Sequence, residues 1–207
     1  MGYHRAGFDV VGVDIRPQPN YPFRFHQADA LDVLATFVEH RELGVLSEWI
    51  YVDAIHASPP CQRWADGFVK YRARHPDLIA ATRELLVATG LPYVMENVRR
   101  APLRDPVLIC GGGLGCVSGD LQLHRHRKFE SNRPLMGVPC SRIRRHTVSV
   151  VGNGTPSGNK RTIGRNPRIR EKREAMGVDW HMTRNELSEA IPPVYTEFLG
   201  LQLREIL

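Results

Sequence analysis

With 207 residues, 42% of them hydrophobic and 24% charged, the chain can bury one sizeable core and has none of the bias of a disordered or fibrous protein. No apolar run approaches the ~20 residues of a membrane-spanning helix, and the opening "MGYHRAGFDVV" lacks the charged start and apolar stretch of a signal peptide. The formal charge of +6 is uneven. From Arg142 to Arg173 ten Lys/Arg face one acid, Glu171, a net of +9, which leaves about −3 on the remainder. A polyanion suits such a segment, and a solvated charge run is the competing reading. Four cysteines, Cys61, Cys110, Cys116 and Cys140, are too few for a disulfide scaffold, so reduced thiols in a cytoplasmic compartment are expected.

In chain order, "FDVVGVDI" (8–15) reads as a buried strand and "DALDVLATFVEH" (29–40) as a helix through Leu31, Leu34 and Val38. "EWIYVDAIHAS" (48–58) is strand-like and stops at Pro59. "HPDLIAATRELLVATG" (75–90) is the clearest helix, with Pro76 in its first turn, Ile79, Thr82, Leu85 and Leu86 on one face, and Gly90 at its end. "PYVMENV" (92–98) is another strand. Strands alternating with helices predict an α/β fold with an open, mostly parallel sheet. Ligands bind such sheets outside the carboxyl ends of the strands, where Asp14, the Pro-Pro-Cys turn and Glu96-Asn97 fall.

Further on, "CGGGLGC" (110–116) is a loop, "LQLHRHRKFESN" (121–132) alternates like one strand, and the Gly/Asn/Ser-rich 150–161 reads as a mobile loop. Thr183 with Glu186 three residues on is a capping box. After Pro192, the residues Val194, Phe198, Leu201 and Leu203 suit a closing amphipathic helix. The expected organisation is a catalytic core over 1–135, a short basic recognition-like segment over 136–182, and a C-terminal helix over 183–207 packing back on the core.

"HASPPCQRW" (56–64) puts a cysteine behind two prolines that fix φ and stiffen the turn. An exposed thiolate there is a soft nucleophile, suited to conjugate addition at C6 of a pyrimidine. An acid at ring N3 activates such a ring, and Glu96 is the candidate. Taken singly, these residues also read as an inert loop cysteine and a surface acid.

"SPPCQ" (58–62), "MENV" (95–98), "HRHRKFES" (124–131) and "EAIPPVYTEFLG" (189–200) together resemble four ordered motifs of the cytosine-5 DNA methyltransferases. "GYHRAGFDVVGVDI" (2–15) resembles that family's first helix and second strand, and "ADALD" (28–32) its next cofactor-contacting turn. The resemblance implies a Rossmann-like fold, S-adenosyl-L-methionine as cofactor, and methyl transfer to C5 of cytosine in DNA. It makes Cys61 the nucleophile and Glu96 the N3 contact, with Arg125 and Arg127 bracing the base. Asp14 and Ile15 would meet the cofactor ribose and adenine, Asp29 and Ala30 the adenine. Pro59 would shape the pocket, Pro60 and Gln62 support the loop, and Asn97 hold it by hydrogen bonding.

The chain departs from the pattern in three places. The family's opening strand and Phe-x-Gly-x-Gly-Gly loop have no counterpart, so Met1 is expected to be an internal methionine of a longer protein. Only about 60 residues separate Arg127 from Glu189, which leaves little room for elaborate base readout. Glu189-Ala190 stands where the family often has Asn-Ala or Asn-Ser. The partner implied is DNA, on the basic segment 142–173, with no membrane, a monomeric enzyme, and a bacterial or phage restriction-avoidance role. The alternatives are a non-catalytic DNA-binding remnant and C5 modification of a free pyrimidine nucleotide. Cys110, Cys116, His124, His126 and Cys140 could be grouped on paper as zinc ligands, but their spacings fit no standard pair, and no metal is expected.

Overall fold

The computed structural model describes residues 1–43, 52–65, 73–144, 146–150 and 167–207. All but the first residue of the loop expected over 150–161, the start of the 48–58 strand and the middle of the basic segment lie outside the described residues. The chain forms two compact units, one of residues 10–107, 127–135 and 207, the other of residues 1–9, 108–126 and 136–206. Parallel and antiparallel pairings both occur, and the architecture is mixed α/β. Among the described residues no helix is long and apolar enough to cross a membrane.

In the first unit, β1 (Val11–Asp14) pairs in parallel with β2 (Arg24–Gln27), from Val11 opposite Arg24 to Asp14 opposite Gln27. Sequence alone suggests a fully buried β1, yet all four of its residues are half-buried, as suits a two-stranded sheet. The chain then turns at Asp29, whose carboxylate accepts the Leu31 N–H at 2.8 Å and so starts α2 (Ala30–Leu43).

A second sheet is built on β4 (Tyr93–Asn97). On one side runs the parallel β3 (Ile55–Ala57), with Ala57 opposite Met95. On the other runs the antiparallel β8 (His126–Ser131), with Glu96 opposite Phe129 and Asn97 opposite Lys128. Flanked on both sides, β4 is buried at all five positions.

Between β3 and β4 comes α3 (Ile79–Ala88). It begins three residues after Pro76, later than the periodicity suggests, and Gly90 (φ +70°) follows its end. Ile79 and Leu86 pack with Tyr93, Met95, Ala101 and Leu103 into this unit's core. Fully burying each such aliphatic side chain is worth roughly 1.5–3 kcal/mol.

In the second unit α1 (Gly2–Arg5) packs on α6 (Pro193–Arg204). The buried face of α6 is Tyr195, Leu199, Gly200 and Leu203, whereas Leu201, expected inside, is 53% exposed. Two shorter helices precede α6. The first, α4 (Ile169–Met176), is drawn from the end of the basic segment, and the second, α5 (Arg184–Glu189), carries the Thr183/Glu186 capping box.

The stretch 121–132 is two strands rather than one. β7 (Leu121–Leu123) joins β6 (Val117–Ser118) and β9 (His146–Val148) in a small sheet, and β8 begins only at His126. The break has a physical cause at Arg125, which is buried. Its guanidinium donates to the carbonyls of Val150, Ser188 (2.7 Å) and Ala190 (3.0 Å), and its own carbonyl accepts the Tyr195 hydroxyl at 2.5 Å. Side chain and backbone are both drawn off the ladder.

Candidate active site

The first unit gathers chemistry at the carboxyl ends of two neighbouring parallel strands. β3 leaves its ladder at Ala57 and enters Ser58-Pro59-Pro60-Cys61. β4 ends one strand over with Glu96 and Asn97. Parallel neighbours expose the same ends on the same edge, so the turn and the acid emerge together.

A side-chain hydrogen bond ties the two. Asn97, fully buried, donates from Nδ2 to the Pro59 carbonyl at 2.9 Å, while its Oδ1 accepts the Val98 N–H at 2.9 Å. Both faces of the amide are used, so its orientation is fixed by what it touches. Proline lacks an N–H, so Pro60 gives the turn no donor of its own for a local bond. Beyond it the Cys61 carbonyl accepts from Trp64 N and Ala65 N at 2.9 Å each, opening a helical turn. Cys61 is half-buried and in no disulfide, Gln62 is half-buried, Pro59 buried and Pro60 exposed.

Glu96 is 6% exposed. Its Oε1 lies 2.8 Å from Arg127 Nε, the arginine coming from the antiparallel neighbour β8. The Arg127 side chain is itself mostly covered, at 16% exposure. A carboxylate sunk this far is retained only with such a partner. On β3, His56 Nε2 and Ser58 Oγ are 3.1 Å apart, and desolvation pushes the imidazole down to about 4, so it is uncharged at neutral pH.

No family model and no curated protein matches this chain. The site is therefore read from its own geometry.

At the end of β1, Asp14 Oδ1 accepts the Arg16 N–H at 2.8 Å and Oδ2 accepts from Gln18 Nε2 at 3.1 Å. The next side chain, Ile15, is 63% exposed. Asp29 and Ala30, at the start of α2, are both exposed. Of the residues expected to share the site, Cys61, Glu96, Arg127, Asn97, Pro59, Pro60 and Gln62 belong to this unit, as do Asp14, Ile15, Asp29 and Ala30. Arg125 belongs to the other unit, where its guanidinium is spent on three carbonyls.

Sequence reasoning overlooked a second buried ion pair. Arg83 of α3 clasps Glu130 of β8 through Nε at 2.6 Å and Nη2 at 2.7 Å. Its signal was present: position 83 lies four after Ile79 and three before Leu86, so a charged residue occupies the apolar face.

Proposed function

We propose that the chain transfers a methyl group from S-adenosyl-L-methionine to C5 of cytosine in DNA, through a covalent adduct between Cys61 and C6. The observation that carries this reading is the Asn97–Pro59 hydrogen bond, which couples the cysteine turn to the strand end bearing Glu96. A Rossmann-like reading of the parallel β1–β2 and β3–β4 pairs supports it as well.

Cys61 acts as thiolate. Its lone pair forms the S–C6 bond, the C5–C6 π pair moves onto C5, and C5 becomes the nucleophile. Glu96 meets the N3 edge of the ring, where a proton neutralises the charge that builds up during addition. Arg127 is a positioning residue that aims the Glu96 carboxyl. C5 would use that pair for a bond to the methyl carbon as the methyl–sulfonium bond breaks, leaving a neutral thioether. Loss of the C5 proton to water would then give the C–H pair to the C5–C6 bond. The S–C6 bond would break with its pair to sulfur, N3 would release its proton, and the thiolate would be regenerated.

The residues at β1 and α2 fit the adenosine half of the cofactor. Asp14 offers carboxylate oxygens to ribose hydroxyls, Ile15 gives the adenine an exposed apolar surface, and Asp29 can accept from its amino group. Bound there, the cofactor supplies an electrophilic methyl group. Arg142, Arg144, Arg168 and Arg170 are exposed and suit a phosphate backbone, and a base must leave the stack to reach Cys61.

A duplex containing 5-fluorocytosine tests the reading, because fluorine at C5 blocks the final elimination. Mass spectrometry is expected to find the oligonucleotide bonded to Cys61 in the presence of cofactor. No adduct, or one on another residue, would overturn the proposal.

A further inference from the structure

The second unit holds three cysteines that this reaction does not use, and two of them meet histidines. Cys110 is the last residue of β5 (Val107–Cys110) and is fully buried. Segment 138–141 runs beside that strand: Val138 N donates to the Leu108 carbonyl at 2.9 Å, and Ile109 and Val138 form a parallel bridge. Ser141 Oγ then donates to the Gly112 carbonyl at 2.8 Å. A Cβ on Gly112 would collide with the Ser141 carbonyl, so glycine allows the close approach. The approach sets Cys140 Sγ 3.5 Å from Cys110 Sγ.

One histidine supplies a third corner. Ligand-type atoms of Cys110, Cys140 and His126 all lie within 4.8 Å of one another. His124 Nδ1 lies 3.3 Å from the Cys140 sulfur but outside that three-residue group. With Zn–S near 2.3 Å and Zn–N near 2.0 Å, tetrahedral angles imply S···S and S···N separations of roughly 3.5–3.8 Å. The sulfur pair and the His124 contact fall close to that. A disulfide needs an S–S separation of about 2.05 Å, well short of what is found.

The surroundings are also those of a metal centre. His124 Nε2 lies 3.4 Å from Gln122 Oε1, an oxygen partner of the kind that fixes a ligating imidazole. Gln122 is fully buried. Its amide donates to the Gly112 (3.0 Å) and Ser141 (3.2 Å) carbonyls, and its Oε1 accepts the Ile143 N–H (2.9 Å). One side chain thus braces both the loop after Cys110 and the loop bearing Cys140.

We propose that Cys110, Cys140 and His126 hold a structural zinc ion that clamps the start of the basic segment, with His124, beside Cys140, moving in as the fourth ligand. Cys140 stands two residues before Arg142, so the ion pins the point from which the cationic chain departs. Two thiolates and an imidazole select zinc over hard cations, and His124 would close the fourth position against catalysis. The proposal is independent of methyl transfer.

The test is the reduced full chain, stripped with chelator and titrated with Co²⁺ and Zn²⁺. One equivalent of metal per chain is expected, with the visible bands and sulfur-to-cobalt charge transfer of tetrahedral thiolate coordination. Zn²⁺ should bleach those bands. In Cys140→Ser and in His126→Ala, affinity should fall more than about 100-fold, beyond the 10–100-fold that outer partners of a ligand contribute. Cys140 is exposed, so its serine variant should fold, and Cys61→Ser should bind as the parent does. No stoichiometric metal, an unchanged cobalt spectrum in Cys140→Ser, or a Cys110–Cys140 disulfide in place of metal uptake by the parent chain would overturn the site. Loss of 5-fluorocytosine trapping with metal binding intact would strike the methyl-transfer reading alone.

Discussion

Two buried glutamates of the first unit are each paired with an arginine, and they are built for different ends. Glu130 is enclosed by donors from three directions: Arg83 of α3 at 2.6 and 2.7 Å, the Arg104 N–H at 2.7 Å, and the Tyr93 hydroxyl at 3.3 Å. Arg83 also donates to the Pro102 carbonyl at 3.1 Å. This cluster joins helix, sheet and the 102–104 loop, and its carboxylate is saturated. Glu96 takes its arginine from a neighbouring strand, at a strand end beside the cysteine turn. A carboxylate that ties helix, sheet and loop together is a structural fixture, whereas one at a strand end beside a nucleophilic turn is placed to meet a substrate.

Substitutions can break that comparison. Glu96→Gln keeps the shape and leaves an oxygen acceptor for Arg127, so it should remove chemistry rather than fold. Methyl transfer to DNA from labelled cofactor is expected to drop about 10²–10⁴-fold, with a smaller loss of thermal stability than any change at Glu130 produces. Equal loss of stability at the two glutamates would mean both pairs are structural. Arg83→Met is the converse. It strands a buried carboxylate, and denaturant unfolding should register a loss of about 3–5 kcal/mol.

Acid sharpens the contrast at Glu130. Burial works to raise its carboxyl, but the hydrogen bonds from Arg83 and the Arg104 amide outweigh it and hold the group below its ordinary value of 4.5. A carboxyl depressed by folding contributes stability that is complete above the unfolded value and is lost as pH falls through the folded one. Urea midpoints measured on either side of 4.5 should therefore fall further in the parent chain than in Arg83→Met. An equal fall in the two proteins would remove Glu130 as the acid-sensitive anchor.

Much of this was legible in the residues, and the rest failed for reasons that can be named. The elements β1, β3, β4, α2 and α3 follow from local apolar runs and periodicity. The strand ends bearing Asp14, Cys61 and Glu96 follow from where those runs stop. Stretch 121–132 defeats the same reasoning, because its alternation is right but Arg125 turns inward onto carbonyls as far along the chain as Ala190. The thiol–imidazole cluster has spacings that fit no standard zinc pair. Spacing tests only ligands that are local in sequence, and here a parallel bridge at Ile109–Val138 brings distant ones together. Arg83 sits on the apolar face of α3, but its partner Glu130 lies 47 residues away, beyond the reach of local pattern.

The smallest effect expected probes the link that the proposed chemistry depends on. Asn97→Ala removes the donor to the Pro59 carbonyl without touching either the thiol or the carboxyl. Leaving that buried acceptor unpaired should destabilise the protein by about 1–3 kcal/mol. If the bond merely stabilises, adduct formation with 5-fluorocytosine DNA should keep its rate once the folded fraction is accounted for. If it aims the turn, the rate should fall as well, since a nucleophile displaced by about 1 Å loses on the order of 10²-fold. Asn97→Asp separates the two further, because it keeps Oδ1 for Val98 yet sets an acceptor against the Pro59 carbonyl. Trapping slower than in the alanine variant would show that repulsion moves the turn farther than a missing bond does.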